Sequence, residues 1–88
     1  MIYKQVLGLT DEQRISVPAD AKFLHVYEQE VGKVTIWYHF EDHNSSKVTK
    51  TILIVGTGNQ FPKLEPTDEY VGTVMSRMGL VWHVWARG

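Results

Sequence analysis

The stretch that decides the fold is Phe23-Leu24-His25-Val26-Tyr27-Glu28-Gln29-Glu30, a turn at Val31-Gly32, and the return arm Lys33-Val34-Thr35-Ile36-Trp37-Tyr38-His39-Phe40. Gly32 sits at the third position of a type II turn, which needs a positive φ there. The segment therefore reads as an antiparallel hairpin, with Tyr27 set against Ile36 and Phe23 against Phe40. Side chains alternate across a strand. Phe23, His25 and Tyr27 should then share a face with Val34, Ile36, Tyr38 and Phe40, while Leu24, Val26, Trp37 and His39 take the other. One apolar face builds a core. The second has to pack on another sheet, another subunit or a ligand.

Working outward, Ile2 to Val6 and Gln13 to Val17 read as short strands, the second ended by Pro18. Thr10 and Gln13 have the spacing of a capping box, but Ile15, Val17 and Pro18 favour the strand. Lys47 to Val55 reads as a strand stopped by Gly56-Thr57-Gly58-Asn59. A loop runs on to about Asp68, with Pro62 and Pro66 excluding regular structure nearby. Tyr70 to Ser76 and Leu80 to Arg87 form the last pair of strands, joined near Arg77-Met78-Gly79. Six or seven short strands with turn signals at regular intervals predict a single all-β domain over residues 1–88, a small antiparallel sandwich or barrel.

Composition narrows the setting. At 88 residues, with 43% hydrophobic and 22% charged residues, the chain is near the lower size at which a core alone sustains folding. It has no cysteine, so packing, extended by self-association, must supply the stability. A net charge of −1 leaves no basic footprint for nucleic acid. The longest apolar run, Ile52 to Val55, is too short to span a bilayer, and Met1-Ile2-Tyr3-Lys4-Gln5 lacks the basic start and apolar stretch of a signal peptide. The expectation is a soluble intracellular protein.

The second half carries a recognisable pattern: Gly56-Thr57-Gly58, a loop, Tyr70-Val71-Gly72-Thr73-Val74, and Leu80-Val81-Trp82-His83-Val84-Trp85 near the end. With Lys22-Phe23-Leu24-His25-Val26 and Gly32-Lys33-Val34-Thr35-Ile36-Trp37, it resembles a family of small bacteriophage and prophage proteins without a settled biochemical function. The likeness spans nearly the whole chain. Trp85 stands where such proteins often end in Phe, and Asn59 where His is expected. The resemblance implies a viral protein working in the host cytoplasm. It supplies no reaction, ligand or partner.

Several residue groups bear on chemistry. His39, Glu41, Asp42 and His43 are of metal-ligand type, but they lie on a strand running into a loop, and no metal or cofactor is expected. Ser45 and Ser46 lack a nucleophile elbow and an assignable base, so an enzyme ranks last. Gly56-Thr57-Gly58 lacks the lysine, third glycine and helix of a nucleotide loop and reads as a strand stop. Gly72, inside a strand, marks a bulge or the close approach of a large ring such as Trp37 or Trp82.

What remains is the set Tyr27, Trp37, Tyr38, His39, Trp82, His83 and Trp85, aromatics and histidines of the kind enriched at interfaces. The expected site comprises Trp37, His39, Gly56, Thr57, Gly58, Asn59, Tyr70, His83 and Trp85, around the Gly56 to Asp68 loop. The first expectation is a non-enzymatic viral accessory protein that binds a host component. That component is either a host-defence or regulatory protein or a small nucleotide-like signal. The second is a structural homo-oligomer with no small ligand.

Overall fold

Stretches of alternating bulky and polar residues form seven strands, and the computed structural model describes all residues, 1–88. They are β1 (Ile2–Leu7), β2 (Glu12–Pro18), β3 (Lys22–Glu30), β4 (Lys33–His39), β5 (Lys47–Gly56), β6 (Glu69–Met75) and β7 (Val81–Arg87). No helix forms. At Thr10 the Gln13 side chain bonds both the N–H and the carbonyl of Gly8, at 3.1 and 2.7 Å, which fixes a turn rather than a helix start.

All pairings are antiparallel. One sheet has the order β1-β4-β3 and the other β2-β5-β7-β6. The shortest dimension of the molecule is 16 Å, enough for two layers at the usual spacing of about 10 Å and no third. The fold is a small β-sandwich. Between the layers lie Val17, Val34, Ile36, Ile52 and Val84, all fully buried, with Leu7, Ile15, Val26, Ile54, Val74 and Ala86 around them. Each Val, Leu or Ile among them contributes roughly 1.5–3 kcal/mol by leaving water.

The hairpin turns at Gly32, whose φ is +80°. Its register departs from the expected one. Glu30 pairs with Lys33 next to the turn, but a shift follows, so Tyr27 faces Thr35 and Val26 faces Ile36. A second irregularity between Phe23 and His25 brings Phe23 opposite Tyr38 rather than Phe40. The shift beside the turn exchanges the faces of residues 25–28, so Val26 and Glu28 point inward while His25 and Tyr27 turn out beside Trp37, and the one at Leu24 returns Phe23 to the inside. Regular alternation cannot bury residues 23 and 26 together. One extra residue, spent at exposed Leu24, can.

The inward Glu28 has a reason to be there. Its carboxylate accepts hydrogen bonds from the Ser76 hydroxyl at 2.7 Å, the Arg77 N–H at 2.9 Å and the Gly32 N–H at 3.1 Å. The edge strands β3 and β6 also touch at Gly72. A Cβ there would lie 2.9 Å from Cγ2 of Val26, and a register shift separates Gly72 from Tyr70. The close neighbour is thus Val26, and neither Trp37 nor Trp82 covers the glycine. Trp82 packs against the core instead.

The two sheets hide one face each and leave two outward. Outside the β1-β4-β3 sheet, Leu24, His25 and Tyr27 are exposed and Trp37 and His39 half-buried. The outside of the other sheet is partly roofed by the segment following β5.

Candidate functional site

β5 and β7 run antiparallel with Leu53 opposite Trp85 and Val55 opposite His83, and β6 continues the rows with Tyr70 opposite Trp85 and Thr73 opposite His83. Opposed residues share a face. These six therefore form a patch on the outer surface of the four-stranded sheet. Trp85 sits between two rings, 5.1 Å from Tyr70 and 5.3 Å from Phe61, both inclined rather than parallel.

The roof begins where β5 ends. The Thr57 N–H donates to the Val81 carbonyl at 3.0 Å, and the Asn59 N–H closes a turn onto the Gly56 carbonyl at 3.0 Å. Gly58 holds φ at +90°, in the left-handed region that glycine occupies without strain. The chain then doubles back over the sheet and lays Phe61 on Trp85. Its far end is pinned by Arg87 of β7, which donates to both carboxylate oxygens of Asp68 at 2.8 Å and to the Lys63 carbonyl at 3.0 Å. Those bonds, with the Glu65 N–H, hold the Asp68 carboxyl down at about 2. Leu53 is buried although it lies outside the core, because this segment covers it.

Under the roof, a chain of hydrogen bonds fixes His83. Its Nε2 meets the Thr57 hydroxyl at 2.8 Å and its Nδ1 the Thr73 hydroxyl at 3.1 Å, and Tyr70 bonds Thr73 in turn. A hydroxyl donates or accepts as required, so both ring nitrogens are satisfied and the imidazole plane is set. Beside it opens a cleft of about 350 Å³, lined by Gly56 to Asn59, Tyr70, His83 and Trp85 with Val55 and Phe61. A larger hollow of about 670 Å³ adjoins it across Asn59 and Phe61 and reaches Asp11, Glu12 and Lys63.

Seven of the nine site residues expected from the sequence thus line one cleft. Trp37 and His39 do not. They lie on the outer face of the opposite sheet, where Trp37 neighbours His25 with ring centres 6.1 Å apart. Sequence reasoning missed Phe61 and Thr73. Thr73 was findable, since folding the last hairpin about Arg77-Met78-Gly79 sets it against His83. Phe61 was not, since no periodicity marks where an irregular segment returns.

Of the metal-like group, Asp42 and His43 make structural contacts and the backbone of Glu41 and Asp42 is tied to Asp20. The Asp20 carboxylate accepts the N–H groups of Glu41 and Asp42 at 2.9 and 3.1 Å, which hold its carboxyl below the usual range. Asp42 accepts the Asn44 N–H at 2.9 Å, and His43 packs edge-on to Phe40. No three His, Cys, Asp or Glu side chains are grouped to hold an ion.

Fold and cleft define a class: a two-sheet antiparallel β-sandwich with an aromatic cleft beneath a pinned loop. The whole chain, residues 1–88, matches the family described as Domain of unknown function DUF7352, and it belongs to that family. Comparison with curated proteins and with solved structures returns no match.

Proposed function

We propose that this domain is a non-enzymatic binding protein whose ligand, a small nucleotide-like molecule, lodges between the Gly56–Asn59 turn and Trp85. The observation that carries the reading is the cleft itself, with three aromatic rings and a fixed imidazole gathered under one loop. Bases stack on such rings for about 1–3 kcal/mol each, whatever their sequence. A catalytic role has less support. Both nitrogens of His83 are engaged by hydroxyls, and the strongly held carboxylates, Glu28 and Asp68, serve the scaffold. The resemblance to phage and prophage proteins supports only the setting, a phage-encoded protein in the host cytoplasm, and the capture of such a molecule rests on the cleft.

The test is to purify the protein from bacterial lysate, extract it, and look for a nucleobase absorbance. A nucleotide panel is then screened for thermal stabilisation. The wild type should carry or gain a ligand, and a folded His83→Gln protein should lose it. The reading fails if the wild type carries none and no nucleotide raises its melting temperature.

A second reading, a homo-oligomer, is favoured by β1. This edge strand exposes Ile2, Tyr3 and Val6 and leaves one row of backbone groups unpaired. A second copy pairing there would extend the sheet.

A further inference from the structure

The lining of the cleft holds no lysine, arginine or carboxylate, and its titratable side chains are Tyr70 and His83. A nucleotide carries negative charge on its phosphate, and an anion that leaves water without a counter-charge is costly to bind. The permanent cations nearby lie outside the lining. Lys63 borders the adjoining hollow with Asp11 and Glu12, and Arg87 is joined to Asp68 and Glu65 at the far end of the roof. Within the lining, His83 is the one group that can become a cation, since imidazole ordinarily changes charge roughly between pH 5 and 8.

The partners of the ring suit that change. Both nitrogens face hydroxyls, Nε2 that of Thr57 at 2.8 Å and Nδ1 that of Thr73 at 3.1 Å. Neutral imidazole donates from one nitrogen and accepts at the other, whereas imidazolium donates from both. A hydroxyl oxygen serves either role, so His83 can take a proton without losing a hydrogen bond. An N–H or ammonium in either place would forbid it. Protonation also decides what Thr57 offers. An oxygen that accepts from Nε2 turns its own hydrogen elsewhere, and Thr57 is exposed and lines the cleft. The charge on the ring is thereby handed on as a donor for an anionic oxygen.

We infer that His83 supplies the counter-charge of the ligand: the phosphate settles against the Thr57 hydroxyl, and His83 takes up a proton as it binds. This rests on the cleft being the nucleotide site, as proposed above. The coupling is reciprocal, so a proton that strengthens phosphate binding is itself held more tightly once the phosphate is bound. Affinity must therefore fall as pH rises.

Calorimetric titration tests this with the four ribonucleosides and the methyl esters of their 5′-monophosphates, at about pH 6 and about pH 8 and in buffers of unlike ionisation heat. The phosphodiester of such an ester keeps one charge across this range, so any proton exchanged belongs to the protein. At least one ester should bind, about tenfold more weakly at the higher pH, with heats that report net proton uptake. A nucleoside that binds should change less than about twofold. His83→Gln should bind the ester weakly and equally at both pH values. Thr57→Val should weaken it about tenfold at the lower pH and lose most of the pH dependence, and Thr57→Ser should restore both. Ester binding that is indifferent to pH and exchanges no proton overturns this inference and leaves the proposed function standing. If such binding weakens steeply with salt instead, the counter-charge belongs to Lys63. Failure of every compound to bind overturns both. Wild-type pH dependence in His83→Gln or in Thr57→Val overturns the role given to that residue.

Discussion

The carboxylate of Glu28 in β3 and the guanidinium of Arg77 in the β6–β7 turn meet at 3.1 Å, and this pair ties the two sheets together at one end of the sandwich. The guanidinium is largely exposed, at 58%, whereas the carboxylate is buried, at 2%. The Arg77 backbone N–H, followed by the Ser76 hydroxyl, does most to keep Glu28 ionised, lowering its carboxyl from 4.5 to about 2. The guanidinium adds bonds to the carbonyls of Glu28 and Gln29.

Acid should therefore loosen the sandwich. The folded carboxyl titrates below the unfolded one, so its stabilisation is complete above about 4.5 and disappears as pH falls through about 2. Asp68, lowered from 3.8 to about 2, acts in the same direction over nearly the same window. Melting temperature measured against pH should fall across that window. Glu28→Gln should lower it at pH 7 and flatten the acid limb. A variant that melts like the wild type at pH 7, with an unchanged acid limb, would show that Glu28 carries no such load.

The contact between Gly72 and Val26 should be visible as a coupling. Gly72→Ala places a methyl 2.9 Å from Cγ2 of Val26, an overpacking expected to cost about 1–3 kcal/mol. Val26→Ala alone should cost roughly 2–3 kcal/mol in lost burial and residual cavity. In the double variant the new methyl fills the vacated space, so denaturant unfolding should show a loss smaller than the sum by about 1 kcal/mol. Strict additivity would mean that the two strands do not touch there.

The pin at the end of the roof should be separable from the fold. Asp68→Ala removes the carboxylate that receives two bonds from Arg87 and one from the Glu65 N–H. Hydrogen exchange should then accelerate through residues 59–67 while the protection of β5 and β7 persists. Faster exchange across both strands as well would show that the roof holds the sheet together.

The edge strand β1 bears on self-association. Val6 is 48% exposed on it. Val6→Lys, a charge on the edge that a second copy would pair with, should shift light-scattering mass toward that of the 10.1 kDa monomer. Its stability should change by no more than about 0.5 kcal/mol, as expected for a surface position. A wild type that is already monomeric at high micromolar concentration would remove the homo-oligomer reading.

Legibility in the sequence followed physical range. The all-β antiparallel class, the strand bounds to within a residue or so and the turn at Gly32 depend on neighbouring residues, through alternation, β-branching and φ. So did the clustering around Gly56 to Asn59, because the last hairpin sets His83 and Trp85 on one face beside the strand that ends in that turn. The errors at Tyr27 and Ile36 and at Phe23 and Phe40 have a different origin. Alternation counts faces correctly until the register slips, and nothing local marks the shift between Tyr27 and Glu30 or distinguishes a bulged Leu24 from a regular one.

What only the tertiary structure decided is which face each side chain takes and what covers it. Glu28 turns inward because Ser76, 48 residues away, donates to it at 2.7 Å. Trp85 lines a cleft rather than an open surface because Arg87 draws Asp68 and Lys63 back across the sheet. By itself, the sequence determined the strands and the turns between them, since those preferences are carried within a few residues. The layering, the bulges and the cleft arise from contacts between distant segments, whose partners no local pattern names.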